Sequence, residues 1–154
     1  MFNPQNFFEF AKELKNVTSQ YSEAKKRTII SRMYYASFLV IRDLLKSELQ
    51  NTTVKPQFDA LYTDTYIHGV VMEALQVSDI HTRNMLRNLR RKRNDADYRL
   101  KSKNWDREIE DVSRKTEELI VRRSSGLPAK FGQHLNTIQS IVEKWFTWKS
   151  KKYQ

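Results

Sequence analysis

Apolar residues recur along the chain at three- and four-residue steps, the period that gathers them on one face of an α-helix. Phe7, Phe10, Ala11, Leu14 and Val17 follow this spacing. Asn3 before Pro4 supplies a capping side chain and then a residue already fixed at helical φ, so a short first helix is predicted there. Thr18, Ser19 and Ser22 interrupt it. A long second helix is predicted from about Ser22 to Leu49, with Ile30, Met33, Tyr34, Ser37, Phe38, Ile41, Leu45 and Leu49 down one face. Residues 50–64 are polar, contain Pro56, and read as a loop that packs down through Phe58, Leu61 and Tyr62. A third helix is predicted over Thr65 to Gln76. Ser78 or Asp79 then caps a fourth, which runs through Ile80, Met85, Leu86 and Leu89 to at least Asn94. Beyond a polar link near Ser102, a fifth helix places Trp105, Ile109, Val112, Thr116 and Leu119 on one stripe, and Ser124, Ser125, Gly126 and Pro128 end it. The last helix carries Phe131, Leu135, Ile138, Val142, Trp145 and Trp148, with Lys144, Lys149, Lys151 and Lys152 on or near its polar side.

No repeat or low-complexity tract interrupts this pattern. The expectation is an all-α, up-and-down bundle of five or six helices forming one domain over residues 1–154, with a core over about 22–119 and an added helix at about 129–150. Composition agrees: 3 Gly and 3 Pro leave few residues suited to hairpin turns or phosphate-cradling loops. The absence of Cys removes disulfides, thiolate nucleophiles and thiolate metal sites. His68, His81 and His134 are the only histidines and no two share a helix turn, so no metal site and no cofactor is expected. The charge-free run Met33 to Ile41 is too short to span a bilayer, and no basic flank with an apolar core opens the chain, which reads as soluble and cytoplasmic.

Charge changes the picture more than composition does. Lys and Arg number 28 against 18 Asp and Glu, a formal net charge of +10, so a partner bearing negative charge, nucleic acid first, is expected. The excess concentrates in RNMLRNLRRKRNDADY, Arg83 to Tyr98, where six basic residues and no acid lie between Arg83 and Arg93. Such density repels itself unless it is solvated or neutralised by phosphates. Arg83, Arg87, Arg90, Arg91 and Lys92 are therefore the candidate nucleic-acid-binding residues. Helical spacing sets Leu86, Leu89, Arg93 and Ala96 or Asp97 along the other side, so Arg93 continues the apolar stripe and should point to a neighbouring helix or a second subunit. A guanidinium there needs a partner. Either it pairs with Asp97 or another carboxylate and fixes packing, or Arg93 and Asn94 line a cleft that holds a phosphodiester.

Three segments, SRMYYASFLVIRDLL (Ser31 to Leu45), HGVV from His68, and RNDADY (Arg93 to Tyr98), resemble in order and spacing the small bacterial and archaeal HEPN-domain proteins. The resemblance covers about Ser22 to Leu119. It implies a helical bundle, usually a homodimer, of the kind found in toxin-antitoxin and defence loci, often beside a nucleotidyltransferase antitoxin. It also implies a metal-independent endoribonuclease that uses the RNA's own 2′-hydroxyl, with Arg stabilising phosphorane charge and His moving protons. In that pattern the His follows an Arg by four to six positions; here Ala96 or Tyr98 fills its place. The catalytic set implied is Arg93 and Asn94, with Tyr98 or His68 in the histidine's role. The resemblance also sets Arg32 facing the Arg93 region, where Asp97 would neutralise it, and puts Tyr34 and Tyr35 in the core and seam. The alternative is a noncatalytic subunit that binds RNA backbone or a protein partner within a ribonucleoprotein effector complex or a toxin-antitoxin pair. Trp145, Phe146 and Trp148 either stack bases or pack a core or dimer face.

Overall fold

The computed structural model describes residues 3–17, 22–99 and 103–152; Thr18, Ser19 and Ser102, given above to interruptions of helices, lie outside them. Among the described residues every regular element is helical and none is a strand. The order is α1 (Gln5–Leu14), α2 (Ser22–Leu49), α3 (Lys55–Leu61), α4 (Ile67–Ser78), α5 (Ile80–Tyr98) and α6 (Trp105–Glu117). A π-helical segment (Glu118–Arg123) and a 3₁₀ turn (Ser124–Gly126) then lead to α7 (Leu127–Gln133) and α8 (Leu135–Lys152).

The all-α class stands, with more and shorter helices than the pattern predicts. Proline marks where α3 and α7 begin. Pro56 lies in the first turn of α3 and Pro128 in the first turn of α7, where a missing N–H costs nothing and a fixed φ favours the helix, so each opens an element instead of breaking one. The last predicted helix is two, parted at His134. Elsewhere the local chemistry acts as expected. The Asn3 carboxamide accepts from the Gln5 N–H at 3.0 Å. Between Ser78 and Asp79 the cap of α5 is Asp79, extended at φ −154° and ψ 91°, whose carboxylate accepts from the Thr82 N–H at 3.3 Å and the Thr82 hydroxyl at 2.7 Å. Asn104 caps α6 by accepting from the Arg107 N–H at 3.2 Å.

The helices gather in two compact units, each described by itself. The first comprises residues 1–40 and 84–123, so it holds α1, α2 up to Val40, α5 from Asn84, α6 and the π-helical segment. Its core takes Phe8 and Ala11 from α1, Ile29, Ile30, Met33 and Tyr34 from α2, Leu86 and Leu89 from α5, and Trp105, Ile109 and Val112 from α6. The stripe predicted for the fifth helix is the buried face of α6.

The second unit comprises residues 41–83 and 124–154, with the rest of α2, α3, α4, the start of α5, α7 and α8. Here α4 packs on α7 and α8, and α3 on α8. Phe58 of α3 and Phe131 of α7 are fully buried, each removing from water a side chain worth about 1.5–3 kcal/mol. Gly69 of α4 permits one close approach: a Cβ at that position would sit 2.4 Å from Cη2 and Cζ2 of the Trp145 indole, so only a bare backbone lets the ring lie there.

Candidate nucleic-acid interface

Helix α5 has a basic residue at almost every turn, and the 3.6-residue period sorts these charges into different surroundings. Arg87, Arg91, Asn94 and Tyr98, spaced by four, three and four, form an exposed stripe, with Tyr98 73% exposed. Neither Arg87 nor Arg91 meets a carboxylate among the described residues. Two guanidinium groups, a carboxamide and a phenol thus face solvent along one line. That combination can hydrogen-bond phosphate oxygens and stack on a base or ribose.

Arg93 goes the other way. It is only 9% exposed, and its guanidinium carbon lies 5.3 Å from the ring centroids of both Tyr34 and Tyr35 on α2. Its Nη1 is 3.6 Å from the Asp97 carboxylate one turn along, while its Nε is buried without a hydrogen-bond partner among the described residues. The π-faces and the carboxylate together compensate a cation held out of water. Burial pushes the Tyr34 hydroxyl up to about 12, against the pull of the Arg90 and Arg93 charges, so the pair is a neutral phenol beside a permanent cation at physiological pH.

Arg90 is half-buried, and Lys92 and Asp95 are committed within the unit. Lys92 turns to α6, with its ammonium bonded to Glu108 and 4.0 Å from Asp111, and so leaves the stripe to which charge alone assigns it. Asp95 accepts from Lys103 at 2.6 Å and pairs with Arg99 at 2.9 Å, and the Lys103 hydrogen bond, outweighing desolvation, holds its carboxyl below the ordinary range. Arg27 of α2, which sequence reasoning passed over, closes the end of α5. Its Nη1 donates to the Ala96 and Arg99 carbonyls at 3.1 and 2.5 Å, and its guanidinium lies 4.6 Å over the Trp105 ring. No local signal in the sequence marks it, because its acceptors lie about seventy residues away.

Within the first unit the catalytic residues expected on α5 do not share a face: Arg93 is turned inward and Asn94 and Tyr98 outward. His68 is half-buried on α4 and belongs to the second unit. Arg83 also belongs to the second unit, half-buried. Asp97 is taken by Arg93 and by the Ser31 hydroxyl at 3.3 Å. Arg32, expected beside it, is exposed and lies 5.3 Å from the Phe7 ring of α1. The reason is angular: Ser31 and Arg32 leave α2 about 100° apart, so only one of them can face α5. Among the described residues no group of three or more His, Asp or Glu is placed to hold a metal ion, and no helix is long and apolar enough to cross a membrane.

Comparison with known proteins places the chain beside two archaeal sequences. It is 40% identical over 110 residues to the uncharacterized protein MJ0628 of Methanocaldococcus jannaschii, a match covering 66% of each chain. It is 32% identical over 108 residues to the uncharacterized protein MJ0992 of the same organism, covering 64% of this chain and 61% of that one. The chain therefore spans a little under two thirds of these relatives. No protein-family profile and no solved structure matches it.

Proposed function

We propose that this protein binds RNA through its ribose-phosphate backbone along the outer stripe of α5, as a noncatalytic helical module. The observation that carries the reading is the exposed pair Arg87 and Arg91, which meet no acidic side chain among the described residues and share a line with Asn94 and Tyr98. The net charge of +10 supplies the long-range attraction, and the two guanidinium forks supply the contacts. Arg93 supports the stripe from behind by anchoring α5 on the two tyrosines.

Cleavage is the second reading, following the HEPN resemblance. It is favoured by the buried Nε of Arg93, a donor without a hydrogen-bond partner among the described residues. Its role would be to stabilise phosphorane charge in a homodimer or beside an antitoxin partner.

A single preparation separates the two. Anisotropy of a labelled RNA, titrated with salt, should show a steep loss of affinity, and the slope of log K against log salt should fall by about 1.5 in Arg87→Ala/Arg91→Ala, two phosphate contacts' worth. Unchanged affinity in that variant would end the binding reading. RNA incubated with the protein in EDTA should stay intact; fragments that vanish in Arg93→Lys would favour cleavage.

A further inference from the structure

Tryptophan 148 breaks the rule that large aromatic residues cover themselves. It lies on the last two turns of α8, in the second unit, and is 50% exposed, while the neighbouring Trp145 is held down. The Trp145 indole rests on the bare backbone of Gly69, donates from Nε1 to Glu73 at 2.8 Å, and packs 5.7 Å from the Tyr66 ring. Trp148 meets it edge-on, with centroids 5.1 Å apart at 70°, and is thereby steadied without being covered.

The surroundings of the exposed ring are cationic. Lys144, Lys151 and Lys152 flank Trp148 at the helical neighbour positions i−4, i+3 and i+4. The Lys144 ammonium lies 5.5 Å from the Trp148 ring but is already bonded to both oxygens of Glu73 at 2.7 Å. Lys149 is likewise occupied, by Asp64 at 3.1 Å. Lys151 and Lys152 meet no carboxylate among the described residues; the Lys152 ammonium lies 5.7 Å over the Tyr66 ring.

We infer that Trp148, with Lys151 and Lys152, is a binding site for single-stranded RNA, in which the indole stacks on an unpaired base and the two ammonium groups hold flanking phosphates. One half-exposed ring among lysines offers a base-sized platform. A lipid surface would call for a broad apolar face, and here the exposed helical neighbours of the ring at i−4, i+3 and i+4 are all lysines. A base has two π-faces, and stacking on it does not depend on its identity, so the site selects unpaired strands without selecting sequence. The site lies on a different helix from the α5 stripe.

The test compares a labelled oligouridylate, a double-stranded RNA of the same length, inorganic polyphosphate and phosphatidylglycerol vesicles on the full chain. Oligouridylate should quench tryptophan emission, whereas polyphosphate should bind without quenching. Trp148→Ala should weaken oligouridylate binding about ten-fold or more, a one-base stacking loss, and leave duplex binding unchanged; Trp148→Phe should keep most of the affinity. Unaltered circular dichroism in both variants confirms the fold. Equal oligouridylate affinity in Trp148→Ala overturns the site, as does a blue shift with vesicles and no response to oligouridylate, or self-association lost in Trp148→Ala with RNA binding unaffected. If Arg87→Ala/Arg91→Ala retains oligouridylate binding and Trp148→Ala loses it, the α5 reading fails and this one stands; the reverse result fails this one alone.

Discussion

Arg91 and Arg93 are two residues apart on one helix and have opposite surroundings. The first stands in solvent on a stripe with Arg87, Asn94 and Tyr98; the second is almost wholly buried against the rings of Tyr34 and Tyr35 and tied to Asp97. The two positions are about 200° apart around α5, enough to change a surface charge into a packing element. In water a guanidinium costs nothing to keep and is available to a phosphate. Inside, it is held in place by contacts it cannot leave without stranding Asp97 and two tyrosine faces. The same residue type is therefore open to solvent on one side of the helix and part of the architecture on the other.

This contrast can be broken most directly at Arg93. Arg93→Ala should lose about 2–4 kcal/mol of stability in urea unfolding, by opening space beside the tyrosines and unpairing Asp97. Loss of less than about 0.5 kcal/mol, the range of ordinary surface changes, would show that Arg93 is no packing element. Next comes an alkaline test on its partner. The Tyr34 hydroxyl is raised to about 12 from a usual value near 10, so the folded state keeps its proton longer than the unfolded one. Its contribution is complete below about pH 10 and declines as pH rises toward 12. Tyr34→Phe should remove that decline from the denaturant midpoint.

The acid side sharpens the comparison with a smaller effect. Asp95 is held low chiefly by Lys103, so its stabilisation is full above the ordinary carboxylate range and disappears as pH falls through its depressed folded value. Asp95→Asn should flatten stability against pH in that acid window, and an unchanged profile would mean the Lys103 pair does not persist in solution. The smallest effect belongs to the outer face. Arg91→Ala should shift stability by no more than about 0.5 kcal/mol while weakening RNA binding. A destabilisation matching that of Arg93→Ala would erase the distinction.

Much of this arrangement is written in local spacing. The apolar stripes of α2 and α6, the caps at Asn3 and Asp79, and the inward direction of Arg93 follow from side-chain type and a 3.6-residue period, whereas on α1 the expected stripe fails, with Phe10 and Val17 exposed and Phe8 buried in their stead. Pro56 and Pro128 were less legible, because proline both ends helices and opens them and only the chain on either side decides which. The candidate site was partly legible. Density alone marks the basic run, but it assigns Lys92 to the outer face, and the carboxylates that claim it are sixteen and nineteen residues away on α6. His68 could not be placed at all by spacing, and it belongs to the other unit.

The sequence by itself determined that the chain is helical, where its charge is concentrated, and which turns of each helix are apolar. These are consequences of backbone period and side-chain solvation, which act within a few residues. Only the tertiary structure decided which arginine is held against aromatic rings, which lysine is neutralised, and which of two tryptophans three residues apart remains uncovered. Those outcomes depend on partners brought in from distant segments, such as Gly69 and Glu73 beneath Trp145, and no local pattern specifies a partner.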